Sequence, residues 1–92
     1  MPSTADVIRQ KLTAAFAPNL LDIVDDSARH AGHAGARPEG ETHFRVRIVA
    51  DSFGGLSRVE RQRRIYAILA HELSNGVHAL ALNALTPAET GK

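Results

Sequence analysis

The stretch SRVERQRRIYAILAHELSNGVHALAL, Ser57 to Leu82, decides how this chain folds. Ser57 followed three residues later by Glu60 is a capping-box start, so a helix is predicted to begin there. Ile65, Tyr66, Leu69, Ala70 and Leu73 recur at helical spacing and define the face that packs on the rest of the protein. Asn75-Gly76 supplies a backbone tolerant of positive φ, where a helix commonly stops. In Val77-His78-Ala79-Leu80-Ala81-Leu82 the bulky side chains alternate, as they do along a half-buried strand. His78 shares the parity of Leu80 and Leu82 but stands at the first residue of that strand, where a sheet meets solvent beside a helix terminus.

Upstream, Thr42 to Ala50 is the clearest strand: Phe44, Val46 and Ile48 fall on one face, His43, Arg45 and Arg47 on the other. Asp51 to Gly55 reads as a turn, with one helical turn around Phe53. Ser27 to Gly40 has three glycines, a proline, two histidines and little bulk, the composition of a long mobile loop; a loop of that length in so short a chain is usually functional. Leu20 to Asp26 is predicted as a strand. A helix is predicted from about Thr4 to Phe16, started by Ser3 with Asp6 and stopped by Pro18. Downstream, Thr86, Pro87 and Glu89 have the cap, first-turn proline and third-position acid of a short final helix.

The order α-β-β-(α)-α-β-α lets the first two strands pair antiparallel, while the third follows a helix and must rejoin the same sheet. The economical arrangement is a two-layer α/β (α+β) fold: a three-stranded mixed sheet, helices on one face, the other face wet. Ninety-two residues without repeat or low-complexity segment fit one domain, 1–92.

There is no cysteine, so neither a disulfide nor a thiolate nucleophile or ligand can come from this chain. No apolar run approaches the roughly 18 residues of a membrane span, and Asp6, Arg9 and Lys11 interrupt any signal-peptide core. A cytoplasmic protein without membrane contact is the expectation. The net charge of +1 is unevenly spread, and residues 45–64 hold six arginines against Asp51 and Glu60. Arg58, Arg61, Arg63 and Arg64 either meet phosphates or form the solvated side of a helix.

Catalytic constellations are poor. Asp25 and Asp26 are adjacent on a strand and point to opposite faces, which suits no acid–base pair. Phosphate-loop, dinucleotide and H-E-x-x-H patterns are all missing. The five histidines are the unusual feature. His78 is either a buried ring satisfied by backbone carbonyls or a ligand. His30 and His33 form H-A-G-H, a spacing that suits one metal or one ligand from a loop, and equally a solvated loop. His43 lies with the arginines, and His71 sits near a helix C-terminus, where a cation is favoured. A binding module, not an enzyme, is expected.

Glu41-Thr42-His43-Phe44-Arg45-Val46, Phe53-Gly54-Gly55-Leu56-Ser57, Arg61-x-Arg63, Tyr66-x-x-Leu69-x-x-Glu72-Leu73 and Val77-His78-Ala79-Leu80 occur in that order, after Asp26-Ser27 leading into a histidine-bearing loop. Together they resemble the BolA family over nearly the whole chain, Val7 to Glu89. The resemblance implies an α-β-β-α-α-β-α fold related to the class II KH domain. It further implies a non-enzymatic partner of monothiol glutaredoxins, in a heterodimer that shares a [2Fe-2S] cluster for iron–sulfur trafficking or iron sensing. The ligand histidine of V-H-A-L corresponds to His78. A second ligand from the loop between the first two strands corresponds to His30 or His33, with His30 at the better distance from Ser27. Gln62 departs from the histidine many members carry in an R-H-R run, which leaves both ligand positions untouched. A chain without cysteine suits this role, because two imidazoles can replace two thiolates on one iron while the glutaredoxin cysteine and glutathione supply sulfur.

The resemblance implies a second reading too, since some members are transcriptional regulators. DNA would then meet Arg58, Arg61, Arg63 and Arg64. Gly54-Gly55 does not reproduce the G-x-x-G clamp of KH domains, and aromatic residues for base stacking are scarce.

Overall fold

A computed structural model of the chain describes residues 3–25, 43–77 and 79–90. Helix α1 spans Thr4–Phe16. Ser3 closes the expected capping box: its Oγ accepts from Asp6 N–H at 3.1 Å while its own N–H donates to Asp6 Oδ2 at 3.3 Å. Ile8, Leu12 and Phe16, four residues apart, are the buried stripe. Ala17 ends the helix in the left-handed conformation, its N–H returning to Thr13 O.

Strand β1, Leu20–Asp25, pairs antiparallel with β2, His43–Val49. The predicted alternation of β2 is borne out: Phe44, Val46 and Ile48 are buried, Arg45 and Arg47 exposed. The chain then makes a single 3₁₀ turn at Asp51–Phe53, where a helical turn was expected around Phe53, and enters α2, Arg58–Ile68. Ser57 caps α2 by accepting from Glu60 N–H at 3.1 Å. A second short helix, α3, covers Ala70–Ser74, and β3 covers Ala79–Leu85. β3 lies parallel to β2, so the sheet order is β1-β2-β3 with β2 central. Helix α4, Pro87–Thr90, ends the described chain. Thr86 and Glu89 cap one another across it, Thr86 N–H donating to Glu89 Oε1 at 2.7 Å.

The core lies between the β2 face and the helices. Ile8, Leu12 and Phe16 of α1 meet Phe44, Val46 and Ile48, joined by Phe53, Ile65, Leu69 and Val77. The Phe16 and Phe53 rings stand 4.9 Å apart and tilted by 46°, within the favourable range for aromatic pairs. The mixed sheet with helices on one face is therefore the observed architecture.

Three local expectations are corrected. The single predicted helix is parted into α2 and α3 at Leu69, whose φ of −97° and ψ of 14° depart from helical values. Leu69 N–H still reaches Ile65 O and Leu73 N–H reaches Leu69 O, both at 3.0 Å, so hydrogen bonds flank the break on both sides. Tyr66 and Ala70, expected on the packed face, are exposed, and the buried side runs through Arg61, Ile65, Leu69 and Glu72 instead. β3, described from Ala79, runs three residues beyond the expected end to Leu85, whose C=O still accepts from Ala50 N–H.

Glu72 is buried to 8% exposure and takes both carboxylate bonds from Lys11 Nζ, at 2.9 Å each, tying α3 to α1. Removing only the cation strands a buried carboxylate, whereas removing both charges does not. Lys11 is partly solvated, so Lys11→Met is expected to cost about 2 kcal/mol, and Lys11→Met with Glu72→Leu to recover most of it. Urea unfolding of both variants measures this; equal losses would refute the coupling.

Candidate functional site

The described residues that flank the sequence-predicted ligands converge on one end of the sheet. Register places Asp25 of β1 opposite Phe44, and His43 of β2 opposite Ala79 of β3. Residues 26–42, which join Asp25 to His43, carry His30 and His33, and His78 immediately precedes Ala79. His30, His33 and His78 themselves lie outside the described residues, as does Asp26. The half-buried His43 is at this same end, a placement that the β2 pattern alone did not connect with β3. His71 is on α3, with its carbonyl accepting from Asn75 Nδ2 at 2.6 Å.

Local chemistry fixes how the chain comes to this point. Val77 is buried and its N–H returns to Glu72 O at 3.1 Å, while Ala79 is already in the ladder with β2. Between α3 and Val77 the chain turns at Gly76, whose φ of +136° belongs to a region that side chains with a Cβ rarely occupy. Gly76→Ala is expected to destabilise the fold by about 1–2 kcal/mol, read as a lowered urea midpoint. An unchanged midpoint would mean that the turn adapts without strain.

Among the described residues no group of three or more His, Asp or Glu side chains can hold a metal ion. A metal group at this sheet end would draw donors from outside the described residues, from this chain or from another molecule. The donor chemistry fits such sharing: the chain offers imidazoles and no thiolate.

The arginine cluster is not one surface. Arg58, Arg63 and Arg64 are exposed, and Arg64 Nε pairs with Glu60 on the same helix at 3.5 Å. Arg61, expected among the phosphate contacts, is instead buried at 5% exposure. Its Nε donates to Leu56 O at 3.1 Å, and its Nη1 donates to Ala84 O at 3.0 Å and to Glu89 Oε1 at 2.7 Å. Nη2 completes the fork to Glu89 Oε2 at 3.3 Å, and the guanidinium lies 5.9 Å from the centroid of the Phe53 ring. The Arg61 hydrogen bond, followed by that from Thr86 N–H, holds the Glu89 carboxyl at about 2, below the ordinary 4.5. Arg61 binds α2, β3 and α4 together and is not available to a phosphate. Four-residue spacing from Ile65 back to Arg61 was the signal for this; the charge obscured it.

These features define a helix-backed, three-stranded mixed-sheet module in which the segments that carry His30, His33 and His78 join the described chain at one sheet end. The family model described as "BolA-like protein" matches residues 12–89, and the chain belongs to the BolA family. It is 50% identical over 86 residues to "SufE-like protein 1, chloroplastic/mitochondrial" of Arabidopsis thaliana, covering 89% of this chain and 23% of that protein. It is 49% identical over 82 residues to "DNA-binding transcriptional regulator BolA" of Escherichia coli K12, covering 89% of this chain and 74% of that one. The solved structure of BolA1 from Arabidopsis thaliana superposes with a TM-score of 0.86 at 42% identity, covering 97% of both chains. The chain spans less than a quarter of the SufE-like protein and 59% of BolA-like protein 1 from Pongo abelii. No helix among the described residues is long and apolar enough to cross a membrane. The SufE-like relative is named as chloroplastic/mitochondrial, so the expected cytoplasmic location is not general among relatives.

Proposed function

We propose that this protein is a non-enzymatic partner of a monothiol glutaredoxin, with which it shares a [2Fe-2S] cluster. In the heterodimer His78 and a loop histidine, His30 in preference to His33, serve as this chain's ligands, and the glutaredoxin cysteine with glutathione supplies sulfur. The observation that carries the reading is the register of Asp25, His43 and Ala79, which attaches both histidine-bearing segments at one end of the sheet. When bound, the cluster supplies a transferable iron–sulfur unit, and imidazole ligation raises its potential relative to four thiolates. This chain's own part is to hold neutral imidazoles on a fixed sheet end, with Val77 and the Ala79 ladder anchoring the chain on either side of His78.

The test is anaerobic co-purification of the protein with a monothiol glutaredoxin, followed by iron and sulfide analysis. The expected complex contains two irons and two sulfides per heterodimer, as the cluster formula requires. A glutaredoxin that elutes alone, or a complex free of iron and sulfide, would overturn the proposal.

A second reading is favoured by one observation, the name of the Escherichia coli relative as a DNA-binding transcriptional regulator. For this chain that reading rests on Arg58, Arg63 and Arg64, since Arg61 is committed to Glu89. Duplex DNA binding that persists near physiological salt and falls in Arg58→Ala with Arg63→Ala supports it. Binding indifferent to both substitutions removes it.

A further inference from the structure

We propose that the outer edge of β3 accepts an extended acidic segment of a partner protein as a fourth strand. Two carbonyls orient the strand. Leu85 C=O accepts from Ala50 N–H and so faces β2, whereas Ala84 C=O faces the other way and accepts from Arg61 Nη1. Backbone polar groups alternate along a strand, so those of Leu80 and Leu82 also face away from β2. Among the described residues β3 pairs with β2 alone, and no other group bonds these two residues on the outer side.

Edges left this way normally carry protection, such as a lysine, a proline or a bulge. β3 has none: its seven residues, Ala-Leu-Ala-Leu-Asn-Ala-Leu, contain no charge, no proline and no glycine. Each edge has one carbonyl taken by an arginine, Leu21 O by Arg9 and Ala84 O by Arg61, but the β1 edge also carries the charges of Asp22 and Asp25. The β3 edge is thus the one built like an acceptor.

Charge selects the occupant. A shallow groove runs between β3 and α2, lined by Arg58, Gln62, Leu82, Asn83 and Ala84. Arg58 is exposed on its rim, and Arg47 stands beside Asn83 on the open face of the sheet. The nearby acid, Glu89, is already held by Arg61. A neutral edge with a cationic rim suits a strand that brings carboxylates, its main chain supplying the bonds and its alternate side chains the selectivity. A second copy of this chain, paired about a two-fold axis, would set equivalent arginines against each other. Ala79 and Ala81 add no bulk beside the edge on the open face.

The test titrates the isotope-labelled full chain with a synthetic decapeptide of alternating valine and glutamate, and with its valine–lysine counterpart. The glutamate peptide is expected to shift the amide signals of Leu80, Leu82 and Ala84 and to slow their hydrogen exchange, while the lysine peptide leaves them unchanged. Leu82→Pro removes an outward N–H without touching the ladder to β2, and should weaken binding about tenfold. Arg58→Glu leaves the backbone alone and should weaken it by about the same factor. Unmoved signals at Leu80 and Leu82, or equal binding of the two peptides, would overturn the proposal. So would protection of the same amides by concentrated protein alone, or their response to a duplex oligonucleotide and not to the peptide.

Discussion

His78→Ala is expected to abolish the visible-spectrum change that the proposed heterodimer predicts when this protein meets a cluster-loaded monothiol glutaredoxin. The substitution removes the one imidazole attached directly to the start of β3, and the chain has no thiolate to replace it. The fold should survive, because Val77 is anchored in the core and Ala79 in the ladder whatever side chain lies between them. Unchanged far-ultraviolet circular dichroism and urea midpoint check that point. His30→Ala should lose more of the spectral change than His33→Ala. His71→Ala should behave as the parent does, since its ring nitrogen Nδ1 lies 3.4 Å from Asn75 Nδ2 on its own side of the turn into β3. A parental spectrum from His78→Ala would take this residue out of the proposed ligand set, and a lost spectrum from His71→Ala would contradict the placement of the site.

Elements whose burial is decided by one local pattern were legible in the sequence. Phe44, Val46 and Ile48 alternate with charges, and that alternation is sufficient to define β2 and its buried face. Ser3 and Ser57 announce the starts of α1 and α2 because capping is a contact between residues three apart. Features that depend on distant partners were not legible. Glu72 is interior because Lys11, sixty-one positions away, neutralises it, and Arg61 is interior because Glu89 and the Ala84 carbonyl receive it. Each continues the apolar stripe of Ile65 and Leu69, yet a charged residue reads as solvated when its partner is unknown. The break between α2 and α3 at Leu69 has no glycine or proline to mark it. The candidate site was legible in part for the same reason. His78 stands out as the histidine ahead of an alternating strand, but only the pairing of His43 with Ala79 connects that strand start with the end of the β1–β2 connection.

Arg61→Ala should be among the most destabilising single substitutions in this chain, by about 3 kcal/mol. Three losses combine: the Leu56 and Ala84 carbonyls lose a donor, the Phe53 ring loses the guanidinium beside it, and α4 loses its tie to α2. Four residues cannot sustain a helix unaided, so Pro87–Thr90 should fray first, seen as faster amide exchange there before global unfolding. Arg61→Lys keeps the charge but not the fork that reaches Leu56, Ala84 and Glu89 together, and should recover only a minor part. The pH dependence separates this account from a simple packing defect. Glu89 has its folded value depressed to about 2 from 4.5, so its contribution to stability is full above 4.5 and is lost as pH falls through about 2. Parent and variant should therefore differ most above 4.5 and draw together toward pH 2, because the variant has already lost the largest cause of that depression. A gap in urea midpoint that stays constant across this window would show that Arg61 acts through packing alone and that its bond to Glu89 contributes nothing.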